Sequence, residues 1–404
     1  MNKAANINEM YGIKKNYKRF NQQFNIMTQT LWNAEFSALE NTRRTNLLEH
    51  VQQSKEGYSE YEYALANGVL KYLHKTGYGL NICDKYGNTW TSNEETNRAS
   101  LPEKEMTMYL KKTALMLGAS EVGIGILDRR WVYSHWLDDE TKNSYPIIFS
   151  DDDVKYASIG KPTLLDDKTR VIPKELTLAI VLLFEMEYDF LIHAPGLLSF
   201  INSLHVYEKM VAATSILAET IRGLGFQAIP SINCTALSIP LAIDAGLGQM
   251  GRNGKLINPQ FGSRCRIAKI ITDLPLLTDN PIDFGVTKFC EACKKCARHC
   301  PANAITSKPK SSQVLDETMN PGYLRWVLNH KKCFQYWSEC GTNCNICMAV
   351  CSYNRGYKWT KGLLNGFDKS TMDTILETLE DESLKPSSKN SKDFWKKLKN
   401  PRKN

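Results

Sequence analysis

The chain has 404 residues and a formal net charge of +8. A chain of this length can bury a large hydrophobic core, so it does not need the disulfide framework of a small secreted domain. Its most apolar stretch, at residues 176–186, is too short for a transmembrane helix.

The charge is concentrated in residues 385–404, which carry eight basic residues and one acidic residue. No nucleic-acid-binding module accompanies this charge, which argues against a nucleic-acid partner.

The first hundred residues form a polar, tyrosine-rich region with weak hydrophobic periodicity. Helices are predicted around residues 28–54 and 59–75. This composition predicts a cap that covers another part of the molecule, and we set its limits at residues 1–104.

From about residue 105 the sequence alternates between helical and extended segments. The predicted elements, in chain order, are a helix at 106–119, strands at 121–128 and 177–186, a helix at 204–225 and a strand at 226–231. Such alternation is typical of an α/β domain, which we place at residues 105–285.

A glycine-rich loop, GLGQMGRNG at residues 246–254, lies near the end of this domain. It matches neither a Walker loop nor the dinucleotide-binding fingerprint. Glycines allow close backbone approach to a large, flat cofactor, and a plain tight turn is the structural alternative. The residues that we assign to such a cofactor are Gly246, Gly248, Gly251, Arg252 and Asn253.

Nine of the twelve cysteines lie between residues 290 and 351. The first block, FCEACKKCARHCP, has the spacing of a bacterial ferredoxin, in which the fourth cysteine ligates the other cluster of a two-cluster protein. Zinc sites favour two separated CxxC pairs, and cysteines this close in sequence bridge poorly as disulfides. The spacing therefore predicts two [4Fe–4S] clusters.

The two clusters divide the cysteines into two sets. We assign the first cluster to Cys290, Cys293, Cys296 and Cys351, and the second cluster to Cys300, Cys333, Cys344 and Cys347. Cys340 is a ninth thiol without an assignment, and it is the alternative to Cys333.

The cysteine motifs predict a ferredoxin-like segment at residues 286–355, followed by a basic helical tail at residues 356–404. A solvated terminus is the simplest interpretation of the tail. An anionic membrane surface or an acidic partner is the alternative.

Several stretches resemble the corrinoid-dependent reductive dehalogenases. They are ASEVGIGILDRRWVYSHW (119–136), SIPLAIDAGLGQMGRNGKLINPQFGSRCRIAKIITDLPL (238–276), FGVTKFCEACKKCARHCPANAI (284–305) and the second cysteine motif that ends in CSYN. The resemblance implies a nitroreductase-like α/β (α+β) domain that holds a base-off corrinoid. The sequence contains no DxHxxG motif that would supply a histidine as the lower cobalt ligand.

The resemblance also implies site residues. Tyr207 corresponds to the proton donor of the family, Arg266 to the arginine beside it, and Asn233 to the asparagine of the pocket. Trp337 matches an aromatic residue that lines the substrate pocket. A guanidinium near a phenol stabilises the phenolate that proton donation leaves behind, and an amide can orient the halide.

The implied function is the reductive removal of halogen from a small organohalide during organohalide respiration. The family implies peripheral attachment to the outer face of the cytoplasmic membrane after export, beside a small membrane-anchor protein and an upstream electron donor. The cytoplasm is the alternative location, and a homodimer is compatible with the sequence. The alternative functions are an epoxyqueuosine reductase-like enzyme of tRNA modification and a ferredoxin-like electron carrier.

Overall fold

The computed structural model describes residues 7–75, 97–355, 386 and 391–397. The α-helices in these ranges are α1 (Ile7–Tyr11), α2 (Ile26–Gln29), α3 (Ala34–Gln52), α4 (Glu60–Lys75), α5 (Glu103–Met116), α6 (Tyr188–Leu191), α7 (Leu197–Gly223), α8 (Ser238–Asp244), α9 (Val286–Cys293), α10 (Lys295–Arg298), α11 (His330–Cys340), α12 (Ile346–Ala349) and α13 (Ser391–Lys397). Short 3-10 helices lie at Gln22–Phe24, Arg129–Trp131, Val154–Tyr156 and Ser352–Arg355.

The strands of the described ranges form two four-stranded sheets and a two-stranded hairpin. They are β1 (Glu121–Ile126), β2 (His135–Leu137), β3 (Ser144–Phe149), β4 (Thr163–Leu164), β5 (Arg170–Ile172), β6 (Leu178–Glu185), β7 (Ala228–Ser231), β8 (Gln249–Met250), β9 (Leu256–Ile257) and β10 (Cys265–Thr272). The larger strands follow the order β1-β6-β10-β7, and all of these neighbours are antiparallel. The mixed α/β composition agrees with the prediction, but the alternating elements do not build the parallel sheet that such alternation usually indicates.

Strand β6 is buried on both faces, which explains its unbroken apolar sequence LAIVLLFE. Ile180, Leu182 and Phe184 contribute to the core on one side of the sheet. Ala179, Val181 and Leu183 contribute to a second core on the other side. Because successive side chains of a strand point to opposite faces, one apolar run can serve both cores.

Helix α7 lies against the first of these cores and has 27 residues. The predicted helix at 204–225 is correct in type, but its observed start is Leu197. The added turns are apolar and buried, including Leu197, Leu198 and Phe200. A helix that is buried on several faces loses the amphipathic pattern from which its boundaries would be read.

The N-terminal region contributes to both cores. Leu47, Tyr58 and Leu73 pack in the same core as α7, whereas Ile7 and Tyr11 pack in the second core. The two helices predicted here are present as α3 and α4. The division into four regions taken from the sequence stays a prediction.

The cysteine-rich segment packs against α3. Asn46 Nδ2 donates to the carbonyl of Ser338 at 2.8 Å, and the Tyr58 hydroxyl donates to the carbonyl of Cys340 at 2.7 Å. Of the predicted basic tail, only Pro386 and α13 fall within the described residues, and there Trp395 Nε1 donates to Glu62 Oε1 at 3.1 Å. None of the described helices is long and apolar enough to span a bilayer.

Candidate active site and cysteine centres

The four cysteines assigned to the first cluster line one cavity: Cys290, Cys293, Cys296 and Cys351. Burial raises the pKa of Cys351 to about 11, and it also raises the pKa values of Cys290 and Cys296. Neighbouring thiols add to each of these shifts. Thiolates packed this closely repel one another unless a cation neutralises them, so the cavity fits an iron–sulfur cluster.

The cysteines assigned to the second cluster also influence one another. Burial raises the pKa of Cys333 to about 12, with further contributions from Cys347 and Cys300. Burial likewise raises the pKa of Cys344, and Cys340, Cys347 and Cys333 add to that shift. The structure therefore brings together, from three separate parts of the segment, the thiols that the sequence grouped.

Cys340 ends helix α11 close to the second set. Its Sγ lies 3.5 Å from Thr342 Oγ1 and 3.7 Å from the carbonyl oxygen of Trp337. The thiol thus already has protein hydrogen-bond partners. The assignment of Cys333 rather than Cys340 to the second cluster stays a prediction.

Within the described ranges, no three His, Cys, Asp or Glu side chains converge as ligands of a single metal ion. A [4Fe–4S] cluster does not require such convergence, because its four thiolates bind four different irons.

Tyr207 and Asn233 meet at the end of strand β7. Tyr207 projects from α7, and Asn233 lies in the loop that follows Ser231. Asn233 Nδ2 donates to the hydroxyl of Tyr207 at 3.4 Å. This is a long hydrogen bond, and catalytic contacts of this kind commonly shorten when substrate binds.

Arg266 joins these residues from strand β10. Its guanidinium carbon lies 5.5 Å from the centre of the Tyr207 ring, and its Nη2 donates to Ser203 Oγ at 3.0 Å. Ser203 precedes Tyr207 by one helical turn, so both side chains lie on the same face of α7. The guanidinium therefore lies against the ring face of the tyrosine while Ser203 fixes one of its nitrogens.

Ser203 and Asn345 are site residues that the sequence did not indicate. Asn345 Nδ2 lies 3.0 Å from Ser203 Oγ, the same atom that accepts from Arg266. Asn345 belongs to the second cysteine motif, between Cys344 and Cys347, and connects that motif to the site. Ser203 lies four residues before Tyr207, and this helical spacing is the feature of the sequence that could have indicated the serine. Nothing in the sequence links Asn345 to α7.

Trp337 lies on helix α11, where its ring packs 5.7 Å from the ring of Phe334. Phe334 in turn packs against Phe36 of α3 at 6.1 Å between ring centres. The predicted role of Trp337 in a substrate pocket stays a prediction.

The glycines of the loop at residues 246–254 meet protein atoms. A Cβ on Gly246 would lie 2.5 Å from the carbonyl oxygen of Asn280, and one on Gly248 would lie 2.2 Å from that of Ile257. A Cβ on Gly251 would lie 2.7 Å from the Ile257 side chain. Close packing within the protein thus accounts for these three glycines, and their contact with a corrinoid stays a prediction.

Arg252 and Asn253 of the same loop are directed towards the cysteine-rich segment. Arg252 Nε donates to the carbonyl of Cys290 at 2.9 Å, and Asn253 Nδ2 donates to the carbonyl of Cys347 at 3.3 Å. Arg252 therefore binds the backbone of the first predicted cysteine set, and its neighbour Asn253 binds the backbone of the second set.

No protein-family model matches the chain. The chain is similar to the tetrachloroethene reductive dehalogenase of Sulfurospirillum multivorans, with 34% identity over 303 residues, which is 72% of this chain and 59% of that protein. The chain belongs to the reductive dehalogenase family. Two solved reductive dehalogenases share its fold. The catabolic enzyme NpRdhA, in complex with 3-bromo-4-hydroxybenzoic acid, has a TM-score of 0.64 at 20% identity over 94% of this chain and 48% of its own.

The second structure, described as suggesting a mechanism for B12-dependent dehalogenation, has a TM-score of 0.66 at 21% identity, again over 94% of this chain and 48% of its own. The chain thus spans only about half to three fifths of the length of these reductive dehalogenases. The epoxyqueuosine reductase of Lactococcus garvieae matches a shorter stretch, with 30% identity over 124 residues. That alternative is therefore the more distant relative.

Proposed function

We propose that this chain removes halogen from a small organohalide by reduction, with Tyr207 as the proton donor. The observation that carries the proposal is the convergence of Tyr207, Asn233 and Arg266 at a site that Asn345 connects to a cysteine motif. An electron carrier does not need such a site, which argues against the ferredoxin-like alternative.

The reaction replaces a carbon–halogen bond with a carbon–hydrogen bond, consumes two electrons and one proton, and releases halide. The proposed cofactors, when bound, supply the reducing power for this reaction: two [4Fe–4S] clusters deliver single electrons and a corrinoid cobalt supplies the reducing centre. The cysteine cavity fits the first of these clusters.

Two buried polar atoms support a ligand at the catalytic residues. Arg266 Nε and Thr235 Oγ1 are buried and lack a hydrogen-bond partner among the described residues. Arg266 carries the first of these atoms, and Thr235 is two residues from Asn233 in the chain. A buried polar group without a partner is costly, and a bound corrinoid or substrate would remove that cost.

The protein residues have separate tasks in this proposal. Tyr207 gives its hydroxyl proton to the carbon that loses halogen. Arg266 and Asn233 stabilise the phenolate that remains, through the guanidinium charge and the amide hydrogen bond. Ser203 keeps the guanidinium against the ring.

The remaining expectations rest on the family resemblance. We propose attachment to the outer face of the cytoplasmic membrane, beside a small membrane-anchor protein and an upstream electron donor. Tetrachloroethene and a halogenated phenol are the first substrates to test, because the named relatives act on or bind these classes.

The test compares wild type with Tyr207→Phe after anaerobic reconstitution with iron, sulfide and corrinoid. A positioned general acid contributes about 10²–10⁴-fold, so halide release by Tyr207→Phe should fall by about that factor at equal corrinoid content. Tyr109→Phe, which changes an exposed tyrosine on α5, is the matched control and should keep the wild-type rate.

Two results would count against the proposal. Near wild-type turnover by fully loaded Tyr207→Phe would show that the proton comes from another group. A loaded wild-type protein that turns over none of the organohalides would remove the proposed activity itself.

A further inference from the structure

Arg252 is a buried cation whose hydrogen bonds all reach the cysteine-rich segment. Its side chain is 1% exposed. Besides the bond from Nε to the Cys290 carbonyl, Nη1 donates to the carbonyls of Thr306 and Lys308 at 2.8 and 2.9 Å. Nη2 lies 3.3 Å from Glu291 Oε2. The planar guanidinium thus holds three backbone carbonyls and one carboxylate at once.

The same side chain lines the cavity that contains the first cysteine set. Arg252 borders this cavity together with Lys294 and Lys295. The positive charge of Arg252 therefore lies beside the four thiols in a region from which most water is excluded. Charges interact more strongly in such surroundings than in bulk water.

Glu291 and Lys310 are charged groups near Arg252, in addition to Lys294 and Lys295 at the cavity. Glu291 Oε1 accepts from Trp326 Nε1 at 2.8 Å, and the guanidinium of Arg252 lies 5.1 Å from the centre of the Trp326 ring. Lys310 Nζ lies 4.8 Å from the same ring centre and donates to Thr287 Oγ1 at 2.9 Å. The carboxylates of Glu291 and Asp283 both act on Lys310. The cations on this side of the cavity are Arg252, Lys310, Lys294 and Lys295, so positive charges outnumber negative ones beside it.

We propose that Arg252 is a positioning residue that raises the reduction potential of the cluster held by Cys290, Cys293, Cys296 and Cys351. Reduction adds one negative charge to a cluster, and a buried cation stabilises the reduced form more than the oxidised form. Net charge and hydrogen bonding around a cluster are known determinants of its potential. The inference rests on the proposed function only in requiring that this cluster is present.

The test is a redox titration of the full chain, reconstituted with iron and sulfide and followed by the EPR signals of the reduced clusters. Arg252→Gln should shift the midpoint potential of one cluster to a more negative value and leave that of the other cluster unchanged. Cys293→Ser identifies which signal belongs to the first cluster. Arg252→Lys keeps the charge but loses hydrogen bonds, so its shift should be smaller.

Arg222→Gln is the matched control, since Arg222 is a buried arginine whose Nη2 donates to the carbonyl of Ala228. Its two midpoint potentials should equal those of wild type. An unshifted potential in fully loaded Arg252→Gln would overturn the proposal.

Glu291→Gln provides a second test of the proposal if Arg252→Gln does not bind iron. Glutamine still accepts from Trp326, but the loss of the carboxylate leaves Arg252 uncompensated, so the potential should shift to a more positive value. No shift, or a negative shift, would overturn the proposal. The titration uses no organohalide, so its result stays valid if the protein does not dehalogenate. An iron content too low for two clusters would count against the proposed function instead.

Discussion

The position of Arg266 depends on Ser203 as much as on Tyr207. Ser203 Oγ receives hydrogen bonds from Arg266 Nη2 and Asn345 Nδ2, each at 3.0 Å, and donates to the carbonyl of Ser199 at 3.3 Å. A hydroxyl has one proton and two acceptor lone pairs, so these three contacts use its full capacity. The serine therefore links Arg266 to the loop that carries Cys344 and Cys347.

Ser203→Ala should disturb catalysis through Arg266. The change leaves Nη2 of a partly buried guanidinium without this acceptor, in addition to the buried Nε, which already lacks one among the described residues. Leaving a buried donor unsatisfied costs about 1–3 kcal/mol, so we expect a loss of stability in this range and a fall in turnover of about tenfold. Urea denaturation and halide release at equal cofactor content measure the two effects.

Ser199→Ala is the matched control for this serine. Ser199 Oγ lies 3.1 Å from Asn345 Nδ2, whereas Arg266 Nη2 donates to Ser203 Oγ. Turnover by Ser199→Ala should therefore stay near that of wild type. Equal losses of turnover in the two variants would show that Ser203 does not act through Arg266.

At the scale of an element, helix α11 carries two cysteines on the same side. Cys333 and Cys340 are seven residues apart, which is close to two helical turns. Because of this spacing, the sequence does not tell which of the two cysteines is a cluster ligand. The surroundings of the two thiols differ, because Gly341 adopts φ 74° at the end of the helix and the Cys340 thiol contacts Thr342 and the Trp337 carbonyl.

Cys333→Ser and Cys340→Ser should therefore differ. Two four-iron clusters correspond to about eight irons per reconstituted wild-type chain, and Cys340→Ser should keep this content and both EPR signals. Cys333→Ser should lose iron and weaken one signal, because it removes a proposed ligand. Iron and sulfide analysis with EPR measures the difference, and the reverse pattern would move the ligand to Cys340.

At the scale of the whole molecule, stability depends on a carboxyl that is partly buried between elements. Asp244 ends helix α8, and its Oδ2 accepts from Trp131 Nε1 at 2.8 Å. Burial raises the pKa of Asp244 to about 6, against the lowering effect of the Trp131 hydrogen bond. The folded protein thus holds this proton more tightly than the unfolded chain, so the stabilisation is complete below about pH 4 and is lost as pH rises through about 6.

Asp244→Asn should accordingly stabilise the protein at neutral pH. Asparagine still accepts from Trp131 and avoids the buried charge, for a gain of about 1–2 kcal/mol at pH 7 after allowance for partial solvent exposure. The gain should vanish at about pH 4, where aspartate is protonated in the folded state. Thermal unfolding midpoints measured across this pH range provide the test.

Asp151→Asn serves as the control for this pH dependence. Asp151 is exposed and its carboxylate accepts from Arg129 Nη1 at 2.8 Å, so its removal should give no gain at neutral pH. A difference between Asp244→Asn and wild type that does not change with pH would show that the carboxyl charge is not its cause.

The sequence by itself determined features that depend on local spacing. The cysteine intervals separated two thiol sets, and the apolar run of β6 predicted a buried strand. The resemblance named Tyr207, Asn233 and Arg266, and the structure brings these three residues together. Their roles in catalysis, and the clusters themselves, stay predictions.

Only the tertiary structure decided which distant segments meet. Arg252 binds carbonyls 38 to 56 residues further along the chain, and its predicted contact with a flat cofactor stays a prediction. Asn345 reaches Ser203 across 142 residues, and the antiparallel order of the central sheet pairs strands from distant parts of the chain. Local composition reports whether a side chain is suited to burial or to a turn. The partner of a long polar side chain depends on how the packed cores place separate segments, and no spacing within one segment contains that information.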